Sequence, residues 1–142
     1  MTKVVYCADC IVRYNGKYVL IERIEDGRTL ALPGGKQERD GRGILEPLSV
    51  TALRELTEET GLTGTIIGTL GTYADDGRDP RGQFISTVFV VDAVGTLREE
   101  VGKTNPIVAN RYEVKLCKAD FAFDHGDIMF DYFRLEKEFF PH

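Results

Sequence analysis

The sequence is short of cysteine, has no tryptophan, carries no long hydrophobic run and has no surplus of positive charge. Each shortage closes off a class of protein. Three cysteines in 142 residues are too few, and odd in number, for a disulfide framework, so a reducing cytoplasm is the expected compartment. Cys7 and Cys10 have Cys-x-x-Cys spacing, but a zinc ribbon needs a second pair and only Cys117 remains. Two strand cysteines are the expected outcome. No apolar stretch approaches the roughly 20 residues of a membrane helix. Asp9 interrupts the early apolar run and no cleavage-site pattern follows, which predicts neither a leader peptide nor a membrane partner. Lys plus Arg total 18 against 23 Asp plus Glu, a formal net charge of −5. A bulk basic surface for nucleic acid is therefore not expected. An acidic enzyme can still take a polyphosphate substrate when metal ions supply the positive charge.

What is present is an ordinary globular composition, 42% hydrophobic and 29% charged. Without repeats, low-complexity tracts or a Pro/Ser-rich linker, residues 1–142 read as a single domain. Apolar runs at 3–14 and 17–24 flank Asn15-Gly16, a strong hairpin signal because both turn residues need positive φ. Asp26-Gly27 marks a second turn before a strand at 29–32, and Pro33-Gly34-Gly35 reads as a loop. Residues 64–73 and 84–94 are β-branched and aromatic, and 109–116 predict a shorter strand. Helical spacing of Leu48, Ala52, Leu53 and Leu56 predicts a helix from Pro47 to Thr60, stopped by Gly61. Ile128, Met129, Tyr132, Phe133 and Leu135 predict a second over about 127–139. The order implies an α+β fold, a mixed sheet between helices.

The first helix carries an uncomfortable cluster. Glu55, Glu58 and Glu59 lie at i, i+3 and i+4, within about 100° of one another on the helix surface. Like charges at this spacing cost about 0.2–0.5 kcal/mol per pair. They also occupy the last turns, where the helix dipole favours cations. Either the acids form a solvated face with Arg54 paired to Glu58, or a divalent cation offsets the repulsion. Hard cations take oxygen ligands, commonly carboxylates together with substrate phosphates.

The stretch from Glu46 to Leu62 resembles the Nudix hydrolase family. The family box runs G-x5-E-x7-R-E-U-x-E-E-x-G-U, with U a bulky aliphatic residue. Here Glu46, Arg54-Glu55-Leu56, Glu58-Glu59 and Gly61-Leu62 match at the required spacing, and Leu32-Pro33-Gly34-Gly35 looks like the usual lead-in. Ten residues separate Gly35 from Glu46 where the family has five, so an insertion is expected around 38–45. Such an insertion costs little stability and bears on substrate choice more than on metal binding.

The resemblance implies a Nudix-type α/β/α sandwich and metal-assisted hydrolysis of a nucleoside diphosphate linked to another moiety. Glu55, Glu58 and Glu59, with the Gly34 carbonyl, would ligate Mg²⁺ or Mn²⁺. Arg54 and Glu46 would pair internally and orient those carboxylates, with Gly35 and Gly61 as structural members of the box. A downstream Glu would handle the water, with Glu99, Glu100 and Glu113 as candidates and Glu100 the one chosen. Asp79-Pro80-Arg81-Gly82 and Ala122-Phe123-Asp124-His125 resemble segments of ADP-ribose-cleaving Nudix domains. Arg78 or Arg81 would then reach a phosphate or ribose. Asp79–Gly82 equally suits a type I turn, and Asp124-His125 a helix cap. The implied reaction is ADP-ribose to AMP and ribose 5-phosphate. One alternative is a nucleoside triphosphate pyrophosphohydrolase, whose base pocket would draw on Gln37, Gln83, Asn15, Asn105 or Asn110. Another is a non-catalytic ADP-ribose-binding module. A homodimer is compatible with the resemblance.

Overall fold

A computed structural model describes residues 3–98 and 104–140. Its framework is a seven-stranded sheet built on β1 (Val4–Tyr14) and β6 (Gln83–Val94), which run parallel in register from Val4 opposite Gln83 to Arg13 opposite Asp92. β5 (Thr63–Tyr73) closes one edge antiparallel to β6. On the other side β2 (Lys17–Arg23) pairs with one half of β1, and β3 (Thr29–Ala31) and β7 (Thr104–Ala109) both pair with β2. Asn15 and Gly16 join β1 to β2 with φ of 51° and 74°, the left-handed pair a type I′ hairpin turn requires.

Strand alternation divides the core. Ala8, Cys10 and Val12 of β1 face one side with Phe89, Val91 and Ala93 of β6. Ala52 and Leu56 of α1 (Leu48–Thr60) cover this face. Ile11, Val88 and Val90 face the other side. There Val114 of α2 (Arg111–Leu116) and Ile128, Met129, Tyr132 and Phe133 of α3 (His125–Phe139) cover them. The sheet is thus mixed and buried on both faces, the α+β sandwich the sequence implies. Cys7 and Cys10 are free, buried strand residues. Among the described residues no helix is long and apolar enough to cross a membrane.

Two local expectations are corrected. Pro33-Gly34-Gly35 is not wholly loop, because Gly34–Lys36 forms a short strand, β4, antiparallel to β1 with Asp9 opposite Gly34. β4 occupies the part of the β1 edge that β2 leaves uncovered. Nor is 109–116 a strand. β7 ends at Ala109, and Asn110 starts α2 with a capping box. The Asn110 side chain accepts the Glu113 N–H at 2.8 Å and the Glu113 carboxylate accepts the Asn110 N–H at 2.9 Å. Two helical N–H groups that would otherwise lack acceptors are satisfied, which outweighs the β preference of Tyr112 and Val114.

Candidate active site

Pro47 precedes α1 as its N-cap, and Gly61 ends it in the left-handed conformation with its N–H on the Thr57 carbonyl. Between them Arg54, with 21% of its side chain exposed, organises the acids. Its Nη2 and Nε donate to the Glu46 carboxylate at 2.7 and 3.1 Å. Its Nη1 reaches Glu55 at 3.0 Å and Glu58 at 3.2 Å, and Nη2 also donates to the Lys36 carbonyl at 3.1 Å. The hydrogen bonds from Arg54 pull the Glu46 carboxyl down to about 2. Burial shifts Glu55 the opposite way, upward, against the pull of Arg54. Glu59 accepts the Gly34 N–H at 2.8 Å.

α1 and β4 lie very close. A Cβ on Gly35 would stand 2.5 Å from the Glu55 carboxyl group, and one on Gly34 would overlap Asp9 and the Ala8 carbonyl. At Gly34 the obstacle is backbone and only glycine fits, whereas at Gly35 a side chain would displace the Glu55 carboxylate. Among the described residues no three Asp, Glu, His or Cys groups are gathered closely enough to enclose an ion. The donor chemistry nonetheless fits a hard divalent cation. Glu55, Glu58 and Glu59 offer oxygens only, from one helix face, beside a glycine strand that adds backbone carbonyls.

A cavity of about 190 Å³ adjoins this helix. Glu59, Gly34 and Gly35 line it together with Cys7, Asp9, Arg78, Arg81, Phe84, Phe123 and His125. Burial pushes the Cys7 thiol up to about 11, so it is no thiolate nucleophile. Arg78, with 5% of its side chain exposed, clasps Asp124 through Nη2 at 2.6 Å and Nε at 2.8 Å while donating to the Phe84 carbonyl. Arg81, half exposed, lies bidentate on Asp79. Gly82 N–H reaches the Asp79 carbonyl at 3.3 Å, so the turn and the cavity-lining arginine are both present. Asp124 sits at the N-cap of α3, but its carboxylate is turned to Arg78 and caps nothing.

Sequence reasoning did not single out Asp9, Phe84 or Ser86, nor His125 in the role it takes. Asp9 is buried and accepts a short hydrogen bond from Ser86 Oγ. His125 Nδ1 accepts the Leu32 N–H at 3.0 Å, which leaves Nε2 as the protonated nitrogen, 3.8 Å from Asp9. Burial lowers the imidazole's pKa and outweighs the nearby Asp9 carboxylate. An Asp in a strand full of apolar residues was the available signal for Asp9. Of the amide side chains considered for a base pocket, none lines the cavity. Gln37 and Gln83 donate to the backbone at Glu46 and Ala74, and Asn110 caps α2. Glu113 closes that same cap, while Glu99 and Glu100 lie outside the described residues.

Comparison with known proteins agrees with this arrangement. The NUDIX domain model matches residues 5–131. An ADP-ribose pyrophosphatase of Methanocaldococcus jannaschii is 34% identical over 128 residues, which cover 89% of this chain and 71% of that protein. A bifunctional NMN adenylyltransferase/ADP ribose pyrophosphatase from Francisella tularensis, complexed with AMP and a manganese ion, superposes with a TM-score of 0.79 at 20% identity. The match takes in 94% of this chain but only 42% of that one. The NUDIX domain of Shewanella oneidensis NrtR, complexed with ADP ribose, superposes with a TM-score of 0.75 at 19% identity, over 94% of this chain and 89% of that domain. The likenesses at 19–20% identity speak for the fold; the family match and the archaeal relative go further, and on them the chain belongs to the NUDIX domain family.

Proposed function

We propose that this member of the family, a pyrophosphohydrolase, cleaves ADP-ribose to AMP and ribose 5-phosphate with Mg²⁺ or Mn²⁺, acting as one domain over residues 1–142. The carrying observation is that one cavity is lined both by Glu59, Gly34 and Gly35 of the metal-type box and by Arg78 and Arg81 of the Asp-Pro-Arg-Gly loop. Water adds to one phosphorus of the diphosphate as the bridging P–O bond breaks. Glu55, Glu58 and Glu59 hold the cation, with the Gly34 carbonyl. When bound, such an ion neutralises diphosphate charge and makes water more acidic. Arg54, locked to Glu46, fixes the directions of Glu55 and Glu58. Arg78, with 5% of its side chain exposed, is clasped to Asp124 and positions the start of α3, whereas Arg81, paired with Asp79 but half exposed, is the arginine that meets substrate. Glu100 remains the proposed residue for the water. The three free thiols suit a reducing cytoplasm.

The absence of Asn and Gln from the cavity lining, among the described residues, counts against a triphosphatase that reads an altered base. The test is product chromatography on a panel of nucleoside diphosphate derivatives and triphosphates, with Mg²⁺ or EDTA. Wild type is expected to convert ADP-ribose only with metal, and Glu59→Gln to lose at least about a hundredfold in kcat. Preference for a triphosphate would replace the substrate. Calorimetric binding of ADP-ribose without product would leave a binding module.

A further inference from the structure

Arg81, Phe84 and Phe123 form an arrangement that the hydrolysis of a diphosphate does not itself require. The Arg81 guanidinium lies 4.5 Å from the Phe84 ring centroid and 4.7 Å from that of Phe123. A planar cation therefore sits between two aromatic rings, both of which line the cavity. Arg23 flanks the Phe123 ring at 4.7 Å and Lys36 the Phe84 ring at 5.7 Å. Phe123 is held with φ of 57°, a left-handed conformation costly for a bulky side chain. The strain is maintained by a fixed neighbourhood. Ala122 N–H bonds the Leu30 carbonyl at 2.7 Å, and the Phe123 ring stands edge-on to His125 at 5.2 Å.

The cavity's 190 Å³ falls below the roughly 300–1,000 Å³ of clefts that enclose a small-molecule ligand. Something must yield before a nucleotide enters. Phe84 is buried and cannot yield readily, whereas half of the Arg81 side chain is exposed. We propose that the gap between Phe84 and Phe123, filled here by the Arg81 guanidinium, is the slot for a purine base, and that the base displaces Arg81, which then turns to the phosphates. The exchange replaces one planar group by another. The stacked base offsets the loss of the two cation–ring contacts, and Asp79, which gives up the guanidinium, keeps the Arg81 backbone N–H at 2.9 Å. With no amide side chain in the lining among the described residues, the slot reads a base by its stacking face, so adenine and guanine are accepted alike and pyrimidines less well.

The inference rests on the nucleoside-diphosphate reading, and its test separates the two. Binding of AMP, of adenosine and of CMP is followed by NMR titration in Mg²⁺, alongside ADP-ribose turnover. Phe123 is partly exposed, so Phe123→Leu is expected to keep the fold; Phe84→Leu is the second variant, with melting curves for both. Each is expected to weaken AMP and adenosine about tenfold, and CMP to bind more weakly than AMP to wild type. Arg81→Ala is expected to weaken AMP while leaving adenosine unchanged or tighter, because the slot is vacated. The proposal is overturned if the folded Phe variants bind adenosine like wild type, or if Arg81→Ala weakens adenosine as much as AMP. Normal ADP-ribose turnover with an unchanged KM in both Phe variants would also overturn the slot, leaving the reaction standing. Failure of wild type to cleave any diphosphate, with AMP binding still dependent on both rings, would overturn the reaction and support the slot.

Discussion

Individual side chains around the cavity are held by exchanges of hydrogen bonds that have definite costs. His125 accepts the Leu32 N–H in a buried setting. Replacing it with Phe keeps a ring of similar size but leaves that N–H without its acceptor, a loss of about 1–3 kcal/mol by chemical denaturation. The imidazole also makes stability depend on pH. Burial lowers its pKa in the folded protein, so the unfolded chain binds the proton first as pH falls below about 6.5. Stability from this group is full above that value and declines in acid until the folded value is passed. His125→Phe is expected to flatten that part of the pH–stability curve; an unchanged curve would mean that His125 is not buried neutral. At this scale the box carboxylates and Arg54 were legible, because their types and spacing are fixed along one helix. Asp9, Phe84 and Ser86 were not, because their relation to the cavity depends on strands distant in sequence.

Elements set how closely the backbone approaches those side chains. β4 can lie against α1 because Gly34 and Gly35 have no Cβ. Gly35→Ala would press on the end of the flexible Glu55 side chain, so the strand survives and the carboxylate moves. The expected result is a drop of about tenfold or more in metal-dependent kcat/KM with little change in Tm. A fall in Tm without loss of activity in the surviving fraction would contradict it. α2 is a six-residue helix resting on its capping box. Asn110→Ala should cost about 1 kcal/mol, a few degrees in Tm, and spare activity, since Asn110 does not line the cavity. Hairpins, long strands and the two larger helices were readable from period and turn chemistry. α2 was misread because its composition favours a strand, and the Asn-x-x-Glu cap was the overlooked signal.

Across the whole molecule, the insertion near the box behaves as an independent loop. Asp40 accepts the N–H groups of Arg42 and Ile44, Arg39 bridges Leu45, and Glu46 N–H returns to the Glu38 carbonyl. Glu38 ties the base of the loop to Glu46 and Arg54. The bonds of residues 40–44 stay within the loop, so replacing residues 40–44 with Asn-Gly should change stability by about 1 kcal/mol or less and preserve kcat. Any change is expected in KM, which steady-state kinetics would register; a collapse of kcat would tie the loop to the chemistry. The sequence by itself determined the α+β order, the two buried faces and the carboxylate helix, because period and spacing act within one element. Only the tertiary structure decided that the Asp-Pro-Arg-Gly loop, two phenylalanines and the glycine strand share one cavity with Glu59. That meeting depends on the parallel register of β1 with β6 and on β4 taking the open part of the β1 edge. Contacts between segments so far apart are fixed when the sheet assembles, and no local pattern encodes them.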